Sequence, residues 1–225
     1  MKRKKTRPPQ PDSGDIREIW EGLRQPPPAG AGRYRAAEAA RAVYNKARAL
    51  HWRFRQDPEA SNAYAEAQRR YWQLISEAYP PTFNHDLIRL GEGDPSGLES
   101  VVAFLEADPI FDGTGYTKED LSRLLRRVEL PSDYVQRLQA VVLSVVDRRD
   151  GREFRAYCRI ARKVDSPELR AQLRYRLTRE LPSGDALPPD QSSLLQAITR
   201  DKGIRRRARW VLEALEQNQP KERNP

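Results

Sequence analysis

The most apolar stretch of the chain, 131–149, places Val135, Leu138, Val142 and Val145 at intervals of 3, 4 and 3, with Val141 and Val146 widening the same face. That spacing fits a helix better than strand alternation. The β-branched valines alone would also suit a buried strand. The borders favour helix, because Ser132 after Pro131 can accept from the first free amides, while Arg148, Arg149 and Gly151 supply a cationic last turn and a permissive end. Each buried aliphatic side chain contributes about 1.5 to 3 kcal/mol before chain entropy is subtracted. The stretch therefore predicts a buried central helix on which its neighbours pack.

Between Arg33 and Tyr79 the pattern is more regular still. Ala36, Ala40, Val43, Ala47, Leu50 and Phe54 step by 4, 3, 4, 3 and 4, and Ala60, Tyr64, Ala67, Tyr71, Leu74 and Ala78 repeat the same steps after Asp57-Pro58. Two long helices joined at that turn form an antiparallel hairpin, 33–80, with alanines facing tyrosines along a close seam. Trp52, Trp72, Ile75 and Tyr79 fall off the seam and predict a second face that needs cover. Tyr79-Pro80-Pro81 ends the hairpin and marks a domain boundary.

The remaining segments read as an arm and further helices. Residues 1–32 hold six prolines, four glycines and the run Lys2, Arg3, Lys4, Lys5, too little apolar surface to fold, so a disordered basic arm is expected. Within it Ile16, Ile19, Trp20 and Leu23 form one helical stripe, which predicts a short helix docking on a partner or on the chain's own body. A helical domain is expected over 81–181, and a C-terminal helical pair over 190–217 with Ile204, Ala208, Val211 and Leu215 as its apolar stripe. The fold class is all-α. In the connector after Pro81, Asn84, His85 and Asp86 read as a helix cap, since no serine or cysteine nucleophile is placed to use the His-Asp pair. His51 has no other metal ligand at useful spacing and receives no chemical role.

Composition narrows the partner. Lys plus Arg number 41 against 32 Asp plus Glu, a formal charge of +9, which favours an anionic partner. The single cysteine, Cys158, excludes an internal disulfide and a cysteine-rich zinc site and suggests a reducing compartment. With no apolar run of the roughly 18 to 20 residues that span a bilayer, and no apolar core in MKRKKTRPPQ to act as a secretory signal, the expectation is a soluble intracellular protein, nuclear or cytoplasmic, without a membrane partner.

Residues 99–121, ESVVAFLEADPIFDGTGYTKEDL, resemble an EF-hand. Glu99, Ala103 and Phe104 match its entering helix, and Asp108, Asp112, Gly113 and Glu119 fall at loop positions one, five, six and twelve. A hard cation needs about seven oxygens, and a glycine bend lets a tight loop wrap them around it. Ile110 stands at the third-position ligand, Pro109 stiffens the second, and Gly115 replaces the aliphatic residue that pairs neighbouring loops. A second unit would use Asp147-Arg148-Arg149-Asp150-Gly151 as its loop, which is too short and too basic to enclose calcium. The resemblance covers 98–164 and implies a helical pair with a degenerate loop at Asp108, Asp112 and Glu119, without bound metal or cofactor. Segments such as DSPELRAQL and DKGIRRRARWVLEAL also resemble HEAT-type helical repeats.

The arginines carry the functional expectation. Arg152, Arg155, Arg159 and Arg162 step by 3, 4 and 3 along one face of the helix after Gly151, whose buried side is Phe154, Tyr157, Cys158 and Ala161. Ser166-Pro167-Glu168 caps a further helix. From Arg148 to Arg179 there are eleven basic residues against four acidic ones, and Arg205, Arg206, Arg207 and Arg209 follow as another cluster. Without a nucleophile, metal cage or phosphate loop, these helices argue for binding, not catalysis. The expected protein is a non-enzymatic scaffold within a larger assembly. Its anionic partner is expected to be nucleic acid, reached through Lys2, Arg3, Lys4, Lys5, Arg152, Arg155, Arg159, Arg162, Arg205, Arg206 and Arg207. An acidic protein surface such as a microtubule, or a nucleic-acid-processing enzyme of HEAT-like type, are the alternatives.

Overall fold

The computed structural model describes residues 11–26, 32–148, 151, 153–178 and 191–217, and every regular element among them is helical. The chain divides into two compact units, Met1–Pro81 with Pro109–Phe111, and Thr82–Asp108 with Asp112–Pro225.

The first unit is built on helices α2, Arg33–Arg53, and α3, Pro58–Ala78. Asp57 starts α3, its Oδ1 accepting from the Ala60 amide at 2.9 Å, and Pro58 sits in the first turn, where no amide is needed. Alanines at Ala36, Ala47, Ala60, Ala63 and Ala67 are buried along the seam. Their small side chains bring the backbones close, and the gap is filled by Tyr44, which stacks on Tyr71 at 4.9 Å and on Tyr64 at 5.9 Å. Tyr44 lies one position off the expected seam. His51 stacks on Tyr64 at 4.9 Å and meets the Ser61 hydroxyl at 3.3 Å.

Helix α1, Ser13–Arg24, is the short docking helix that the stripe predicts, and only the assignment of that stripe to a partner is corrected by its packing. Asp12 caps it at Gly14, and Asp15 and Arg24 occupy the ends that the helix dipole favours. Ile16 and Ile19 are buried in one cluster with Ala47, Leu50, Phe54, Ala60, Ala63 and Ala67, and Trp20 and Leu23 pack on its margin. The stripe is thus turned onto the chain's own hairpin and not toward a partner, because the alanines leave a shallow groove that isoleucines fill. At Gly22 the approach is tight, since a Cβ there would lie 3.0 Å from the Val43 side chain. Pro109–Phe111 completes the unit: the Ile110 amide donates to Glu38 at 2.7 Å, its carbonyl accepts from Arg41 at 3.0 Å, and Phe111 meets Tyr79 edge-on. Trp52, with the Arg55 guanidinium 3.9 Å above its ring, and Trp72 stay exposed.

The second unit runs through α4, Phe83–Glu92, a 3-10 turn at Pro95–Gly97, α5, Leu98–Ala107, and α6, Thr114–Leu124. It continues with α7, Ser132–Arg148, α8, Phe154–Lys163, α9, Pro167–Thr178, and α10, Gln191–Glu216. Helix α7 is the central helix that its apolar period predicts: it packs against α5, α8, α9 and α10 and buries Leu138, Val141, Val142, Val145 and Val146. Ser166 caps α9 through its hydroxyl to the Leu169 amide at 3.1 Å. Asp86 caps nothing. Buried in the first turn of α4, it accepts from the Ser100 hydroxyl and so ties α4 to α5, while His85 is exposed.

The pair expected over 190–217 is one continuous helix. Inside α10 Gly203 makes room: the Arg207 guanidinium lies 3.0 Å from where a Cβ would stand.

Candidate nucleic-acid interface

The arginine row on α8 does not stay together as one face. Arg155 is exposed and makes no hydrogen bond or ion pair among the described residues. Arg159 is half-exposed and reaches Glu119 of α6 at 3.2 Å. Arg162 donates to the Ala214 carbonyl at 2.8 Å and to Gln217 at 3.3 Å, so it satisfies the carbonyl end of α10. Arg152 and Lys2, Arg3, Lys4 and Lys5 lie outside the described residues.

The second cluster divides in the same way. Arg207 is buried and donates to the Val146 carbonyl at 2.6 Å, closing the end of α7. This corrects its assignment as an anion contact, and Arg162 is corrected with it: orphan carbonyls at a helix end also attract a guanidinium, through a partial negative charge, and period alone cannot tell that use from a phosphate contact. Arg205 pairs with the buried Asp201 at 2.6 Å. Arg206 is exposed, its guanidinium 5.1 Å from the centre of the Trp210 ring.

Trp210 is the residue that sequence reasoning missed. It is 42% exposed, its ring 5.9 Å from Phe154 at the start of α8, and it helps to line a groove of about 960 Å³ between α6, α8 and α10. Arg155, Arg159, Glu119, Glu153 and Glu213 line the same groove. The signal was present, since Arg206 and Trp210 stand four apart and therefore meet on one helix face. Lys202 and Arg209, also exposed, lie toward the Arg206 side of α10, while the exposed Arg200 lies on another side of the helix. Cys158 also faces the groove, but burial pushes its thiol up to about 11 against the opposing pull of Arg162 and Arg159, so it is a neutral thiol at physiological pH and a poor nucleophile.

The carboxylates of the EF-hand-like segment are largely engaged by the chain's own cations. Asp108, buried and in a left-handed conformation at φ 44°, accepts from Lys118 at 2.7 Å and from the Tyr157 hydroxyl at 2.6 Å. Lys118 is fully buried. Glu119 accepts from Arg123 at 3.0 Å and from Arg159, and Asp112 is exposed. Helix resumes at Thr114, with the bend made at Gly113, φ 88°.

Comparison with protein-family models, with curated proteins and with solved structures finds no match. Among the described residues no helix is long and apolar enough to cross a membrane.

Proposed function

We propose that this chain is a non-enzymatic helical interaction protein that docks on an anionic partner, and that the partner is nucleic acid. The observation that carries this reading is the surface formed by α8 and α10, where the exposed Arg155 and Arg206 flank an exposed tryptophan and Lys202 and Arg209 extend the cationic side. Guanidinium groups bind phosphate as a planar fork, and an aromatic beside them adds a face on which a base can rest. The carboxylates of the groove are the reason to expect contacts beyond phosphate alone.

Binding of labelled oligonucleotides, followed by fluorescence anisotropy at several salt concentrations, tests the proposal. Four to six phosphate contacts predict that log affinity falls linearly with log salt with a slope of roughly −3 to −5. Arg155→Glu with Arg206→Glu should flatten that slope by about 2 and remove most of the affinity while helicity is kept. Absence of binding at low salt, or indifference to the double substitution, overturns nucleic acid as the partner and turns the search to acidic protein surfaces.

A further inference from the structure

We propose that the groove between α6, α8 and α10 takes an unpaired base of a single-stranded nucleic acid, with Trp210 as its stacking platform. This rests on the nucleic-acid reading above and gives it a substrate class.

The argument begins with a mismatch. A surface built only for phosphate would be lined by cations, yet the groove holds Glu119, Glu153 and Glu213 beside Arg155 and Arg159. Glu119 is held by Arg123 and Arg159, but the carboxylates as a set still disfavour a phosphate chain threaded through the groove. They do not repel a base, whose exocyclic amino groups donate to carboxylates, as the cytosine N4 amino group does. The layout along α10 separates the two tasks. Arg206, Trp210 and Glu213 follow at spacings of four and three, so cation, ring and carboxylate stand in a row on one helix face. A base stacked on the partly exposed indole would lie between a guanidinium, which suits its phosphate, and a carboxylate, which suits an amino edge. Phe154 holds the indole from α8, and Arg155, next to Phe154, offers a second cation at the margin.

The same geometry selects the single strand. In a duplex the base faces are stacked on one another and are not offered to a side chain, whereas an unpaired strand presents them. The exposed ring at the edge of the groove is open to an unpaired base, and a paired base has no free face to offer it. Thymine and uracil present a carbonyl where cytosine presents its amino group, so the carboxylate also sets a preference for amino-bearing bases.

The test uses the full chain and labelled homopolymers of about 12 nucleotides, within the range of site sizes seen for single-strand-binding folds, beside a duplex of the same length. Tighter binding of oligo(dC) and oligo(dA) than of the duplex is expected. Trp210→Ala should weaken the single strand roughly 5- to 150-fold, the loss that removing one stacked base brings, and Trp210→Phe should keep most of the affinity. Glu213→Gln, at an exposed position that leaves the fold untouched, should reduce the preference for oligo(dC) over oligo(dT). If the duplex binds with the expected salt slope but equals or exceeds the single strand, or if Trp210→Ala binds like wild type with helicity intact, the base site is refuted while the nucleic-acid reading stands. Failure of every oligonucleotide to bind refutes both.

Discussion

Lys118 is the most demanding residue in the molecule, an ammonium with no solvent exposure held by a carboxylate that is itself buried. Desolvating two charges costs several kcal/mol each, and the cost is recovered only when the geometry is good and the remaining lone pairs are satisfied. Here the Tyr157 hydroxyl donates to the same Asp108 oxygen and fixes α8 against the pair. Removing the cation alone is the expensive change. Lys118→Ala is expected to destabilise by about 3 to 5 kcal/mol, because it strands a buried charge, while Lys118→Met with Asp108→Leu should cost far less. Urea denaturation of the two variants checks this, and equal losses would show that packing and not charge dominates the site. None of this was legible beforehand. Asp108 stood at the first position of a loop that resembles a calcium site, and nothing in the sequence marks Lys118 as a residue that will be buried against it. Arg162 and Arg207 illustrate the same limit, since whether an arginine meets a phosphate or a helix end depends on where another helix stops.

At the scale of elements, sequence pattern served well wherever one helix packs along its whole length on a regular neighbour. The seam of α2 and α3 and the apolar face of α7 follow from their steps, and the caps at Asp57 and Ser166 lie where their residue types place them. It served less well where packing is irregular. Asp86 read as part of a cap, but its role is explained by one partner on another helix, Ser100. Helix α1 is the instructive case. Its stripe was read as a docking surface for a partner or for the chain itself, and the pattern alone could not choose, because the groove that receives it is formed by alanines on two other helices. With Ile19 only 1% exposed in the hairpin's groove, Ile19→Ala should cost about 2 to 5 kcal/mol, the range for removing buried aliphatic volume. Thermal unfolding by circular dichroism is the measurement, and an unchanged midpoint would mean that α1 contributes nothing to the stability of the first unit.

Each of the two units encloses apolar clusters of its own, which bears on how the whole molecule unfolds. In the first, Ile16, Ile19, Ala47, Leu50 and Phe54 gather about the hairpin, and Ala37, Tyr44, Tyr71 and Ala78 form a further cluster with Phe111. In the second, the buried face of α7 is the common wall for α5, α8, α9 and α10. Val142 lies on that wall, 1% exposed, so a carboxylate there must either be desolvated without a partner or force the surrounding helices apart. Either route exceeds the few kcal/mol by which a domain is normally stable. Val142→Asp should therefore unfold the second unit, while the first, whose contacts are local in sequence apart from Pro109–Phe111, keeps its own transition. Calorimetry of the full-length variant should show a cooperative unfolding event reduced in enthalpy, and circular dichroism should retain the helical signal of α1, α2 and α3. Complete loss of both would show that the units fold as one cooperative system. Oligonucleotide binding gives an independent reading of the same variant, because Arg155, Arg206 and Trp210 all belong to the second unit and their arrangement should be lost with it.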